Sequence, residues 1–172
     1  SDTELYARVG ERESLRALME RMITVSSNLA TNILIELVGA ERVTASMREL
    51  GADSIEVLRG VEDSKAYRAG LSNMTTARDL GVIFTAIAEN RAASLESCEQ
   101  MVEVLSHQEF NEGIPAGIPS GILVAHKTGW ISQYVTHDAG IVYPPEEEPY
   151  VLVVLTAGVD VDEVADRLIG DL

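Results

Sequence analysis

Hydrophobic periodicity divides this chain into a helical first part and a strand-rich second part. From residue 11 to residue 50, and again from residue 76 to residue 105, apolar side chains recur every three or four positions, the spacing that places them on one face of a helix. After Asn111 the pattern changes to a turn-rich segment, followed by apolar runs at 122–128, 140–143 and 150–156. Segregated helices and strands are typical of α+β proteins, so we predict an α+β fold.

Capping residues and glycines indicate where the helices begin and end. Two helices are predicted to meet near residues 25–28, and Gly39 is a natural stop for the second of them. A third helix is predicted over 41–50. The predicted N-caps of three later helices are Thr76, Ser94 and Asp160. Between 52 and 74 the periodicity fails, which predicts a long ordered loop of the Ω type.

Charge, cysteine content and hydropathy exclude several classes of protein. The chain has 172 residues, a size that suits one domain, and a formal net charge of −15. This charge argues against a nucleic-acid partner, whose backbone requires a clustered basic surface. Cys98 is the only cysteine, so no intrachain disulfide can form, and its apolar helical position predicts a core residue. No apolar run approaches the about 20 residues of a membrane-spanning helix, so no membrane span is predicted.

Two short motifs carry the functional prediction. Lys127-Thr128-Gly129 ends a predicted strand, where an ammonium group beside a hydroxyl can bind a carboxylate and the glycine lets a ligand lie along the backbone. Ser26-Ser27-Asn28 lies far upstream at a predicted helix junction. Each motif alone also fits an ordinary structural role, as a strand end or as helix-capping and loop-capping residues.

Together these motifs resemble the Ser-x-Asn and Lys-Thr-Gly elements of the serine β-lactamase and penicillin-binding-protein superfamily. The similarity extends over nearly the whole chain. Its further segments are 18–32, the loop at Arg59, 73–80, 126–130 and 137–143. The resemblance implies a β-lactamase-like fold, a β-lactam or acyl-peptide substrate, no cofactor, and a periplasmic or secreted location.

The resemblance also implies a role for each residue of the two motifs. Ser26 would pass a proton to the leaving nitrogen, and Asn28 would contact the acyl side chain of the substrate. Lys127 and Thr128 would hold the substrate carboxylate. The substrate-binding set is then Thr128, Gly129 and Trp130, with the backbone N–H of Trp130 as one donor of an oxyanion hole.

Two positions depart from the class A β-lactamase pattern. Ser27 stands where those enzymes have aspartate, which fits the looser Ser-x-Asn of penicillin-binding proteins. In the long loop, Val61 occupies the place of the deacylating glutamate, and Glu62 follows one position later. Glu62 or Asp63 could act as the base through the geometry of the loop, or the two could be a solvated acidic pair.

The nucleophile of the family is absent from the sequence. A serine followed three positions later by lysine does not occur, because Glu62 precedes Lys65 and Val124 precedes Lys127 at that spacing. We therefore expect a single domain over 1–172 that is incomplete at its N-terminus and inactive alone, the C-terminal portion of a serine β-lactamase-like hydrolase. A D-Ala-D-Ala peptidase or esterase on the same scaffold, or a non-catalytic binding relative, are the alternatives.

Two further expectations concern partners and metals. The apolar run at 150–156 is expected to form an exposed strand edge, which would pair with the chain's own N-terminal segment or with a second copy. His107, His126 and His137, with Asp138 nearby, could in principle gather as ligands, but their spacings match no helical two-histidine motif, so no metal site is predicted.

Overall fold

The computed structural model describes residues 2–131, 135–159 and 162–172. Its helices are α1 (Thr3–Ala7), α2 (Leu15–Thr24), α3 (Asn28–Val38), α4 (Ala40–Glu49), α5 (Ser64–Arg68), α6 (Ala77–Ala88), α7 (Leu95–Ser106), α8 (Ile114–Gly117) and α9 (Asp162–Gly170). Its strands are β1 (Leu123–Ile131), β2 (Val135–Tyr143) and β3 (Tyr150–Leu155). This order of helices, strands and a last helix confirms the predicted α+β class.

The two helices that flank residues 25–28 both begin at serine caps. Ser14 Oγ accepts a backbone N–H at 3.1 Å at the start of α2, and Ser27 Oγ accepts the Ala30 N–H at 3.3 Å at the start of α3. Gly39 ends α3 with a φ of +93°, a conformation that favours glycine. The junction and the glycine stop therefore lie where the sequence predicts them.

Helices α6 and α7 supply the inward faces of the main core. Their predicted caps are confirmed, because Thr76 and Ser94 each accept the backbone N–H three residues later. Cys98 is fully buried on α7, as predicted. The core joins these helices to the sheet through Phe84, Ile87, Leu105, Ala125, Ala139 and Ile141.

The three strands form an antiparallel sheet in the order β1-β2-β3. Helices α6 and α7 pack on one face, and Ile114 of α8 and Ile169 of α9 pack against Val142 on the other. Pairing of β1 with β2 sets Lys127 opposite Ala139. Among the described residues, β3 is an edge strand of the sheet.

The structure differs from the sequence-based prediction in the bounds of two strands and in three short helices that were not predicted. β1 extends to Ile131 rather than residue 128, and β2 begins at Val135 rather than residue 140. Gly129 in β1 and the polar residues Thr136, His137 and Asp138 in β2 interrupt the apolar runs from which the sequence-based limits were drawn. The short helices α1, α5 and α8 have five residues or fewer, too few for an apolar period.

The long loop is ordered, as predicted. A single bridge pairs Glu56 with Met74 at its base, and α5 lies within it. The predicted cap Asp160 lies outside the described residues. No helix in the described ranges is long and apolar enough to cross a membrane.

Candidate active site

Ser26 lies at the joint between α2 and α3 in a conformation that serine rarely adopts. Its φ is +52°, in the left-handed region. The joint is held on both sides, because the Ser27 N–H donates to the Arg21 carbonyl at 3.0 Å while the Ser27 side chain is fully buried as the α3 cap. A strained residue that its surroundings hold in place is typical of functional sites.

Lys127 connects the sheet to this joint. Its Nζ donates a hydrogen bond to Ser26 Oγ and another to the Thr128 carbonyl at 2.7 Å. Burial lowers the pKa of Lys127 to about 8, and the charge of the Asp138 carboxylate acts in the opposite direction. The structure thus brings together the two sequence motifs through a side-chain contact between residues about a hundred positions apart.

The other motif residues lie around this contact. Asn28 is the first residue of α3 and is half-buried. Thr128 and Gly129 follow Lys127 on β1, and all three line one cavity. A Cβ at Gly129 would meet His137 only at ordinary contact distance, so packing alone does not require glycine there. Trp130 directly follows the motif and is 60% exposed.

The cavity has a volume of about 600 Å³ and a mostly apolar wall. Helices α2, α6 and α7 form one side of it, and the sheet forms the other. Its apolar lining includes Met19, Met22, Ile23, Leu80, Ile83, Phe84, Ile87, Met101, Val104, Leu105, Ala139 and Leu155. Lys127 therefore presents a cation to a largely apolar space.

Glu62 is placed apart from this cavity. It is exposed, with a φ of +60°, and it is not among the residues that line the cavity. The preceding residue explains the placement, because Asn32 of α3 accepts the Val61 N–H at 2.7 Å and donates to the Val61 carbonyl at 3.1 Å. A Cβ at Gly60 would lie 2.6 Å from Asn32 Oδ1, so only glycine permits this close approach.

Asn32 is a positioning residue that the motif analysis missed. The sequence gives little indication of this role, because Asn32 looks like any other polar helix residue except that it lies four positions after Asn28 of the Ser-x-Asn motif. Within the part of the chain that the structure describes, no group of three or more His, Cys, Asp or Glu side chains could hold a metal ion. His126 and Asp138 instead form a buried pair, with Nδ1 of His126 2.9 Å from Asp138 Oδ1.

Comparison with known proteins identifies the family. The family model described as "Beta-lactamase enzyme family" matches residues 3–172. The chain belongs to this family. A β-lactamase of Streptomyces lavendulae is 30% identical over 157 residues, which cover 90% of this chain and 52% of that protein. A β-lactamase of Bacillus licheniformis is 28% identical over 162 residues, covering 92% and 53%. The chain spans about half the length of these curated relatives.

Solved structures of β-lactamases and a penicillin-binding protein share the fold of this β-lactamase-family chain. A β-lactamase from Sphaerobacter thermophilus superposes with a TM-score of 0.86 at 31% identity, covering 94% of this chain and 61% of that one. PBP-A superposes with a TM-score of 0.85 at 28% identity, covering 96% and 60%. These matches confirm the superfamily and the fold that the sequence motifs predicted.

Proposed function

We propose that this chain forms the substrate-binding side of a serine acyl-transfer site that hydrolyses β-lactams through an acyl-enzyme. The contact between Lys127 and Ser26 carries the proposal, because it joins the two motifs beside a cavity that Lys127 lines. The substrate class is supported by the β-lactamase relatives. A variant of PBP-A, 28% identical to this chain, is described as an acyl-enzyme complex with penicillin G.

Ser26 is the proposed proton carrier. Its Oγ accepts a hydrogen bond from the Lys127 ammonium, so its own proton is free to be donated. When a serine hydroxyl attacks the β-lactam carbonyl, a C–O bond forms, the C–N bond breaks, and the leaving nitrogen needs one proton. The attacking hydroxyl loses one proton, which supplies the proton that the nitrogen gains. We assign the final transfer of this proton to the nitrogen to Ser26.

Lys127 and Thr128 are the proposed binding groups for the substrate carboxylate. With a pKa of about 8, the Lys127 amine is mostly an ammonium ion at neutral pH. Its apolar surroundings strengthen an ion pair with a bound carboxylate relative to the same pair in water. Asn28 is assigned to the acyl side chain, and the Gly129–Trp130 backbone to the developing oxyanion.

The nucleophile is proposed to come from a polypeptide segment with Ser-x-x-Lys, which this sequence does not contain. The cavity between the helices and the sheet is an apolar space of about 600 Å³, and an amphipathic helix can fill such a space with its apolar face. The β3 edge offers a second contact for the same segment, or for a second copy of the chain. The chain alone is accordingly proposed to bind substrate without being acylated.

A penicillin-binding protein or D-Ala-D-Ala peptidase is the second candidate function. Hydrolysis of an acyl-enzyme requires a base that activates water, and Asn32 holds Val61 where the family glutamate would be, with Glu62 exposed. Ser27 in the first motif also matches the penicillin-binding pattern. This arrangement favours formation of an acyl-enzyme over its hydrolysis.

Binding of penicillin G tests the carboxylate site. Trp130 is the only tryptophan in the chain, and it is exposed at the end of the Lys-Thr-Gly motif, so its fluorescence reports occupancy. We expect a saturable change in the chain that is lost in Lys127→Ala and kept in Lys65→Ala, the matched control. Equal binding by both variants would refute the assignment of Lys127.

Intact mass spectrometry tests the acyl transfer. The chain alone is expected to stay unmodified by penicillin G, and a complex with a segment bearing Ser-x-x-Lys is expected to gain one penicillin per molecule. A persistent adduct would favour the penicillin-binding function, and a short-lived adduct with turnover of a chromogenic cephalosporin would favour the β-lactamase. If neither an adduct nor turnover is observed, the remaining hypothesis is a non-catalytic binding protein.

A further inference from the structure

The joint that carries Ser26 is closed on a single backbone carbonyl. The N–H groups of Val25 and Ser27, on either side of Ser26, both donate to the Arg21 carbonyl, at 3.4 and 3.0 Å. Helix α2 thus ends with a residue in the left-handed region, a place where glycine is usual and serine is strained. Contacts that fix Arg21 therefore also restrain the backbone conformation of Ser26.

Two carboxylates at the start of the chain bind the Arg21 side chain. Asp2, the N-cap of α1, accepts a hydrogen bond at Oδ1 from Arg21 Nη1 at 2.7 Å and another from the Leu5 backbone N–H at 3.1 Å. Glu4 Oε2 accepts a hydrogen bond from Arg21 Nη2 at 3.0 Å. The Asp2 side chain is 4% exposed and the Glu4 side chain 79%. The Asp2 ion pair is therefore shielded from water, whereas the Glu4 ion pair is solvated.

Capping of α1 does not explain the charge of Asp2. A cap needs one acceptor for the Leu5 N–H, which serine, threonine or asparagine supplies without a charge. The second oxygen of Asp2, Oδ2, is buried and has no hydrogen-bond partner among the described residues, which is unfavourable for folding. Burial raises the pKa of Asp2, but hydrogen bonds from Arg21 and from the Leu5 N–H lower it by more, so the carboxylate is ionised at neutral pH. The interaction that requires this charge is the ion pair with Arg21.

Apolar packing also holds α1 against the two helices of the joint. Leu5 of α1, Leu18 of α2 and Ala30 of α3 form one buried cluster. Leu18 lies three positions before Arg21 and therefore on the same side of α2. Ala30 donates the backbone N–H that the Ser27 side chain caps. The polar and apolar contacts of α1 thus meet at the helices on both sides of Ser26.

We propose that Asp2 is a positioning residue for Ser26. Its buried ion pair with Arg21 fixes the carbonyl on which the joint closes, and so holds the Ser26 hydroxyl at Lys127. The inference rests on the proposed function for its meaning, because the contact between Ser26 and Lys127 is the one assigned to proton transfer and carboxylate binding. The effect of Asp2 on the joint itself does not depend on any substrate.

Hydrogen exchange of single amides, measured by NMR, tests the effect on the joint. Asp2→Asn removes the charge but keeps an acceptor for the Leu5 N–H, and Glu4→Gln, the matched control, removes a charge from the exposed side of the same guanidinium. We expect protection of the Ser27 amide to fall about tenfold in Asp2→Asn, because a hydrogen bond between charged groups is lost. In Glu4→Gln it is expected to stay unchanged. Amides of the β1–β2 ladder are the reference for overall stability.

The affinity for penicillin G tests whether Asp2 acts through Ser26. Measured by Trp130 fluorescence, binding is expected to weaken about fivefold in Asp2→Asn, because Lys127 loses the hydroxyl that helps to hold its ammonium group in place. In a Ser26→Ala background, the same substitution is expected to weaken binding no further. A merely structural role would weaken binding equally in both backgrounds, and that result would overturn the proposal.

Three further outcomes decide between the proposal and its alternatives. Equal protection of the Ser27 amide in Asp2→Asn and Glu4→Gln would overturn the role of Asp2. If Asp2→Asn does not fold, Arg21→Lys keeps a cation but cannot bind both carboxylates at once, and it is expected to give a smaller loss of Ser27 protection. Unchanged protection in that variant would also overturn the proposal. If the unmodified chain does not bind penicillin G, the proposed function is refuted, and hydrogen exchange still decides the role of Asp2.

Discussion

At the scale of single residues, Lys127 combines two conflicting demands. Its ammonium donates to Ser26 and to a backbone carbonyl, and it also faces an apolar cavity, where burial disfavours charge. The balance is a pKa of about 8, far below that of an ordinary lysine. The cation is therefore retained at neutral pH at a cost in folding free energy.

This cost predicts a distinctive pH dependence of stability. Because the folded-state pKa of Lys127 lies below the unfolded-state value, the unfolded chain binds more protons between about pH 8 and pH 10, and the free energy of unfolding rises with pH in that window. Between about pH 7.5 and pH 9.5, the free energy of unfolding of the unmodified chain is expected to rise by about 2 kcal/mol relative to that of Lys127→Met. Urea unfolding of both proteins at each pH measures this difference.

The other lysine provides the matched control for that experiment. Lys65 is exposed on α5, and Lys65→Met is expected to follow the unmodified chain at every pH. If the free energies of unfolding of the unmodified chain and Lys127→Met differ by the same amount at every pH in this window, the pKa of Lys127 is not lowered by burial.

At the scale of elements, the long loop owes its shape to amide side chains at its base and middle. Asn73 Oδ1 accepts the N–H groups of Leu58 and Arg59 at 2.8 and 3.1 Å, and Asn32 binds both backbone groups of Val61. These contacts hold the backbone without help from a large apolar core. The loop is thus pinned at defined points, and its orientation toward α3 depends on Asn32.

Replacement of Asn32 by leucine should free the middle of the loop. Asn32→Leu keeps a similar volume but leaves the Val61 N–H and carbonyl without their partner, which costs about 1–3 kcal/mol. We expect faster amide hydrogen exchange across 58–72, measured by mass spectrometry, with no change in the strands. Glu36→Gln, an exposed change on the same helix, is expected to leave exchange unaltered. Unchanged protection in Asn32→Leu would show that other contacts hold the loop.

The sequence was sufficient for some elements and insufficient for others, for identifiable reasons. Helices α2, α3, α6 and α7 were predicted because each combines an apolar period with a serine, threonine or glycine boundary. The first half of β2 was missed because polar residues such as Thr136 and Asp138 enter the ladder through backbone pairing, which hydropathy does not report.

The candidate site shows the same division. Lys127 and Ser26 were paired from their motifs, and the structure adds the contact itself. The Asn32 and His126–Asp138 contacts depend on loop path and strand register. Register is set only when the sheet forms, so no local pattern in the sequence reveals them.

At the scale of the whole molecule, charge and apolar surface act against each other. The net charge of −15 makes copies of the chain repel one another, and the β3 edge together with the cavity of about 600 Å³ presents apolar surface and unpaired strand backbone. Salt screens the repulsion between charged copies, but it has little effect on strand pairing at the β3 edge. Association of the chain should therefore increase with ionic strength.

Sedimentation velocity at rising concentration and salt tests this balance, with Tyr150→Lys as the decisive variant. Tyr150 begins β3 and is 44% exposed, so a lysine side chain fits at this position. Natural edge strands often carry lysine, because its charge opposes pairing with another strand. The substitution also changes the net charge from −15 to −14, so weaker overall repulsion alone would increase association. We expect the unmodified chain to self-associate and Tyr150→Lys to remain monomeric under the same conditions. A single 18.6 kDa species for the unmodified chain at all concentrations, or stronger association of the variant, would contradict pairing through the β3 edge.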